Sequence, residues 1–224
     1  MSMTLLVVRH GQTDWNTAGR FRGRTDLGLN EAGLRQAQLV ARRMAAEYQP
    51  TAIYSSPLRS SLQTAEAIGD RVGLEPLVDN GLLDLDYGDF AGLNSAEAEA
   101  SYPDLYRTWV LAPHVIRFPN GESVAQVRAR VADLAGRLSG GHGGQQVVLV
   151  SHVIVIRTLL CSLIGMHSGL VDAFHIDLAS LTVVETRGRR AELIMTNSTR
   201  HLSAPDLAAV QGQRSTAQHD FGPS

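Results

Sequence analysis

The chain has 224 residues and carries 20 Lys and Arg against 22 Asp and Glu, a formal charge of −2. That length suits one domain around one core, because single cores stop growing near roughly 250 residues, and a 44% hydrophobic, 19% charged composition excludes a natively disordered chain. Near-neutral charge removes the general electrostatic case for nucleic acid or an anionic membrane as partner, so any anion site has to be local.

Leu5-Leu6-Val7-Val8 is a short apolar run that fits a strand buried on both faces, and it stops at Arg9 and His10. Leu34, Ala37, Ala41 and Met44 then recur at helical spacing, with Arg35, Gln36, Arg42 and Arg43 on the opposite side. Ala52-Ile53-Tyr54 reads as a second strand. After it Ser56 is the expected helix cap and Pro57 the first helical residue, with Leu58, Ser61, Leu62, Ala65, Ile68 and Val72 on one face. Residues 89–122 read as an irregular covering segment. Ser123 and Gln126 form a capping box ahead of Val127, Val131, Leu134 and Leu138, and residues 140–144 end that helix. Residues 146–151 are a further buried strand, and 173–177, 181–187 and 190–196 look like shorter strands that close the sheet.

Cys161, the single cysteine, excludes an internal disulfide and a zinc site made of several thiolates, and its apolar neighbours make it a core residue. No stretch reaches the roughly 18 apolar residues of a membrane span, and residues 1–8 lack the form of a targeting segment, so the expected location is the cytoplasm. Residues 1–202 are expected to form a single domain and the polar residues 203–224 a disordered tail.

Strands alternating with amphipathic helices predict an α/β fold with a largely parallel sheet, whose sites lie beyond the carboxyl ends of the strands. Arg9-His10, residues 55–59 and Ser151-His152 follow three such strands and should converge on one edge. Each cluster alone could merely solvate a loop. Together they make an electropositive pocket suited to phosphate, with imidazole as the remaining nucleophile, because no Walker loop, metal-ligand spacing or GxSxG elbow is present.

The run Val7-Val8-Arg9-His10-Gly11-Gln12-Thr13-Asp14-Trp15-Asn16 resembles the signature of the histidine phosphatase superfamily, the phosphoglycerate mutase-like family. Residues 26–33 (DLGLNEAG), 55–65 (SSPLRSSLQTA), 83–92 (LDLDYGDFAG), Gly121-Glu122-Ser123 and 151–157 (SHVIVIR) continue the match, which spans about residues 4–165. The resemblance implies a three-layer α/β/α sandwich. It also implies a metal-independent phosphatase that needs no cofactor and hydrolyses small phosphomonoesters through a phosphohistidine on His10. Arg9, Arg59 and His152 would clamp the phosphoryl oxygens, and Asp84 would be the general acid, where the family usually carries the longer Glu; Asp86 is the neighbouring alternative. Asn16, Arg22, Gly11, Ser151 and Val153 are expected to bind substrate. Arg22 stands where many relatives have Gln, as an added cation at the rim favouring substrates with a second anionic group. Val153 and Ile154 replace the usual two glycines. The expected partner is a small phosphorylated metabolite, with neither nucleic acid nor membrane, and homodimerisation is left open. A cofactor-dependent phosphoglycerate mutase and a non-catalytic phospholigand scaffold are the alternatives; the mutase acid loop typically reads Glu-Arg-His-Tyr-Gly, unlike residues 83–90 here.

Overall fold

Ser2–Arg9 forms β1, and a single helical turn, α1 (Asp14–Thr17), precedes α2 (Glu31–Glu47). Then follow β2 (Ala52–Ser55), α3 (Arg59–Val72), β3 (Pro76–Val78), α4 (Ser95–Ser101), α5 (Pro103–Leu111), α6 (Val124–Gly141), β4 (Gln146–Ser151), α7 (Val153–Leu163), β5 (Leu181–Arg187), β6 (Arg190–Ser198) and α8 (Ala204–Gln211). The computed structural model describes residues 2–188 and 190–211.

The described strands form one six-stranded sheet in the order β3-β2-β4-β1-β5-β6. β1 to β4 run parallel, and β5 and β6 add antiparallel pairs at one side. The strand core alternates by residue, as a period of two demands. Leu6, Val8, Val148 and Val150 pack with Val40, Met44 and Ile68 of α2 and α3. Leu5, Val7, Val147 and Leu149 pack with Val131, Leu134 and Leu159 of α6 and α7. Helices therefore cover both faces, giving the three-layer α/β/α architecture. Among the described residues no helix is long and apolar enough to cross a membrane.

Several local expectations are corrected. Helix α3 begins at Arg59 with Leu58 at its cap position, because Ser56 Oγ instead accepts the Leu58 N–H at 3.3 Å and turns to a histidine described below. In α2, Leu34 is exposed while Gln36 and Arg43 are buried. Gln36 Oε1 accepts the Gln12 N–H at 2.9 Å, and Arg43 donates to Ser198 Oγ at 2.9 Å, so tertiary hydrogen bonds override the amphipathic pattern. Residues 173–177 form no strand. The carbonyls of Phe174 and Ile176 accept from Arg157 and Arg9, both at 2.7 Å, in place of ladder partners. Residues 204–211, expected to be disordered, form α8, with Leu202 and Val210 packed on Leu178 and Ala179 and Asp206 paired with Arg35 at 3.5 Å. The expectation for 212–224 lies outside the described residues.

The covering segment is helical, not irregular. Asn94 and Glu97 form a capping box and Pro103 opens α5, and these helices close over an aromatic cluster. Phe118 has ring centroids 5.1 Å from Tyr87, 5.1 Å from Phe90 and 5.4 Å from Trp109. Phe118→Ala is expected to cost about 3–5 kcal/mol, because the rings around it are edge-packed and cannot collapse into the void. A melting temperature within 2 °C of wild type would show that the segment repacks.

Candidate active site

The pairing of β1 with β4 places Arg9 opposite Ser151, so the residues that follow each strand emerge side by side. His10 N–H donates to Ser151 O at 3.0 Å and His10 O accepts from Ala179 N–H at 3.1 Å, which fixes the backbone on both sides. The His10 and His152 ring centroids are then 5.0 Å apart.

His10 is 1% exposed. Its Nδ1 lies 2.7 Å from the Gly11 carbonyl; a carbonyl only accepts, so Nδ1 carries the proton and donates it. Nε2 then holds a lone pair, and among the described residues no hydrogen-bond partner occupies it. Burial first, then the neighbouring His152, Arg22 and Arg9, hold the imidazole well below its ordinary range, and the Gly11 carbonyl only partly opposes this. The group is a neutral, oriented, buried imidazole with one ring nitrogen open.

His152 caps α7, the helix that starts where β4 ends. Its Nε2 is anchored 2.9 Å from Ser56 Oγ and 3.3 Å from Ser61 Oγ, which presents Nδ1 toward Asp84 Oδ2, 3.7 Å away. That distance exceeds a hydrogen bond, and the pair is not an ion pair, because burial and the charges of Arg22, Arg9 and Arg130 keep His152 neutral. Burial also pushes the Asp84 carboxyl up to about 6, against the pull of Arg22, the Leu85 N–H, Arg130 and Arg9. The site thus holds a carboxyl that keeps its proton up to about pH 6 beside a neutral imidazole.

Of the two candidate carboxyls, Asp84 stands at His152, whereas Asp86 is turned into its own loop, accepting the Gly88 N–H at 3.0 Å and facing Arg24 at 3.6 Å. Arg9 is held by the Ile176 carbonyl. Asn16 is buried, and its Oδ1 accepts from Thr13 N–H at 2.9 Å, leaving the amide NH₂ as its donor. Arg59 is exposed at the first position of α3, its backbone N–H is capped by Asp26 at 2.7 Å, and its guanidinium rests against Gly28.

Three residues expected to bind substrate make structural contacts. Ser151 Oγ donates to Leu82 O at 2.7 Å, tying β4 to the Asp84 loop. The Gly11 N–H donates to Thr64 Oγ1 at 3.1 Å, and any Cβ at Gly11 would meet the Gly33 carbonyl 2.5 Å away. Val153 is packed in the core. Two further residues frame the site without having been singled out for it. Arg130 donates to the carbonyls of Gly81 and Asp84 at 2.8 and 3.1 Å. Glu122 joins Arg24 at 2.8 Å and Arg130 at 3.2 Å and accepts the Asp86 N–H. Together they clamp the acid loop onto α6. Arg130 lay in an ordinary amphipathic helix, with no local signal to separate it from Arg128. Among the described residues no group of three or more His, Cys, Asp or Glu is arranged to hold a metal ion. Cys161 is buried, its thiol pushed up by that burial.

A buried histidine with a free ring nitrogen, a second histidine and a carboxyl whose pKa burial raises, set at the carboxyl ends of parallel strands among arginines, define a phosphoryl-handling enzyme of the α/β class. The chain belongs to the histidine phosphatase superfamily (branch 1), whose profile matches residues 5–199. It is 35% identical over 198 residues to phosphoserine phosphatase 1 of Hydrogenobacter thermophilus, covering 88% of this chain and 93% of that protein. It is 39% identical over 181 residues to a bifunctional protein of Mycobacterium tuberculosis, of which it spans half the length. Among solved structures, the mycobacterial glucosyl-3-phosphoglycerate phosphatase superposes with a TM-score of 0.81 at 31% identity, covering 89% of this chain and 100% of that one. With phosphatases as its relatives over most of its length, this chain is an enzyme of the phosphatase kind.

Proposed function

We propose that the protein hydrolyses small phosphomonoesters through a phosphohistidine on His10, with Asp84 as the general acid. The observation that carries this reading is the buried Nε2 of His10, without a hydrogen-bond partner and oriented by the 2.7 Å bond from Nδ1 to Gly11 O. In the first step Nε2 attacks phosphorus in line, the P–O bond to the leaving group breaks, and the Asp84 carboxyl gives its proton to the departing alkoxide. In the second, the Asp84 carboxylate takes a proton from water. The hydroxide attacks phosphorus, the N–P bond breaks, and its electron pair returns to Nε2 with inorganic phosphate as product. Arg9 and His152 line the phosphoryl oxygens, and the Asn16 amide donates one further hydrogen bond.

Relatives named for phosphoserine and for glucosyl-3-phosphoglycerate support a carboxylate-bearing phosphomonoester as the first substrate class to try. The test is phosphate release from a panel of phosphorylated metabolites in the presence of EDTA, together with a search for acid-labile, alkali-stable phosphate on the protein during turnover. Hydrolysis with such a label on His10 is expected. Hydrolysis without any protein-bound phosphate would overturn the covalent route.

A further inference from the structure

Two peptide groups follow His10, and each is held by a different helix. The 10–11 peptide is fixed on both sides: its carbonyl accepts from the Ala179 N–H at 3.1 Å, and its N–H donates to Thr64 Oγ1 of α3 at 3.1 Å. The 11–12 peptide is fixed by α2. Its carbonyl, on Gly11, takes the His10 Nδ1 proton at 2.7 Å, and its N–H, on Gln12, donates to Gln36 Oε1 at 2.9 Å.

Helix phase brings α2 to this peptide. Gly33 and Gln36 are one turn apart and share a face, and the helix lies so near that a Cβ at Gly33 would stand 2.7 Å from the Gln12 nitrogen. Gly33 lets the first turn approach, and Gln36 then meets the Gln12 N–H. Gln36 is wholly buried, and among the described residues its Nε2 has no hydrogen-bond partner. A buried amide with its NH₂ unpaired costs stability that an apolar residue of similar size would not. Its oxygen, set on the Gln12 N–H, is what an apolar residue could not supply. A trans peptide points its N–H and C=O in opposite directions, so anchoring the Gln12 N–H on Gln36 aims the Gly11 carbonyl back at His10. Turned over, the same peptide would present its N–H to Nδ1 and move the imidazole proton to Nε2, where it would block the lone pair. The two hydrogen bonds also share one amide, so each polarises the other.

We infer that Gln36 is a positioning residue for His10: through the 11–12 peptide it keeps the imidazole proton on Nδ1 and the Nε2 lone pair open. The inference takes its chemistry from the phosphohydrolase reading above, but the tautomer itself can be read without turnover. Gln36 touches no substrate in this account. It acts on rate through the ring, and Arg9 and His152 keep their own anchors on Ile176 O and Ser56 Oγ.

The experiment compares Gln36→Met, which fills the space without an acceptor oxygen, and Gln36→Glu, which keeps one, with wild type in the full chain. Nitrogen-15 NMR of the histidine rings reads the tautomer in the resting protein, the His10 signals being those absent from His10→Ala. Wild type and Gln36→Glu should show a protonated Nδ1 and an unprotonated Nε2. In Gln36→Met the proton should move to Nε2 or exchange between the two nitrogens. On p-nitrophenyl phosphate and phosphoserine alike, kcat/KM should fall about 10- to 100-fold in Gln36→Met, and Gln36→Glu should recover at least part of the loss. Inorganic phosphate, followed by isothermal titration calorimetry, should bind all three within about twofold. An unmoved tautomer in Gln36→Met would overturn the inference, as would phosphate affinity lost in step with rate, which marks a collapsed site; both would leave the hydrolase reading intact. A shifted tautomer in Gln36→Met, beside a wild type that hydrolyses neither substrate, would sustain the positioning role and sink the hydrolase. If Gln36→Met does not fold, Gln36→Asn, whose oxygen stops one methylene short of the Gln12 N–H, takes its place with the same outcomes deciding.

Discussion

His10→Ala is expected to lower kcat/KM for every phosphomonoester by about 10⁴-fold or more, and to remove protein-bound phosphate altogether. The loss is large because in the proposed route the side chain makes the bond, and among the described residues no other nitrogen is placed to take over: His152 is anchored through Nε2 to two serine hydroxyls and faces Asp84 with the other nitrogen. The fold should survive. A histidine kept neutral by burial binds its proton more weakly in the folded chain than in the unfolded one, whose imidazole titrates near about 6.5. Such a group contributes stability that is lost as pH falls below that value. The substitution removes this liability, so the variant's melting temperature relative to wild type should improve as the pH is lowered from 7.5 to 5.5. Residual hydrolysis above about 1% of wild type, measured with p-nitrophenyl phosphate, would move the nucleophile elsewhere.

Asp84→Asn separates the two roles a buried carboxyl plays. As an acid it is needed most when the leaving group is a poor one, so alkyl phosphates should lose about 10²–10⁴-fold and p-nitrophenyl phosphate far less. Since the carboxyl must be protonated to act, kcat/KM on alkyl phosphates should fall as pH rises through about 6 in the wild type, and that limb should vanish in the variant. The effect on stability has the opposite sign to the effect on activity. The folded chain holds this carboxyl's proton up to about 6 while the ordinary value is 3.8, so wild-type stability is full below the ordinary value and declines as pH rises toward 6. The difference corresponds to about 3 kcal/mol, using ~1.36 kcal/mol per pH unit. Asp84→Asn should therefore melt several degrees above wild type at pH 8 and show no advantage at pH 4. Equal loss of activity on alkyl and nitrophenyl substrates would assign the acid to another group; the same shift in melting temperature at both pH values would deny Asp84 its retained proton.

What could be read from the sequence was whatever depends on residues adjacent in the chain. The apolar runs at 5–8 and 147–150 are buried on both faces and could only be inner strands. A strand that ends in a polar pair must leave that pair at the sheet's carboxyl edge, so His10 and His152 were legible before their neighbours were known. The Ser123–Gln126 cap is local for the same reason. Two signals were present and undervalued: the Asn94–Glu97 capping box and the proline that opens α5 mark helices in a segment whose small and aromatic residues hid the 3.6-residue period.

The direction of each guanidinium was decided only by tertiary structure. Arg9, Arg24 and Arg130 are alike in composition, yet one is tied to a carbonyl, one is neutralised by Glu122 and one braces the acid loop. A shift of two residues in the start of α3 rotates a side chain by more than half a turn, and the glycine at 23 lets the chain run against Leu85 where any side chain would hold it away. The sequence by itself determined that an imidazole would stand at the end of the first strand among cations. Which cations, and which of two carboxyls would keep its proton, depended on burial and on contacts between segments far apart in the chain, because desolvation and charge act through space and not along the backbone.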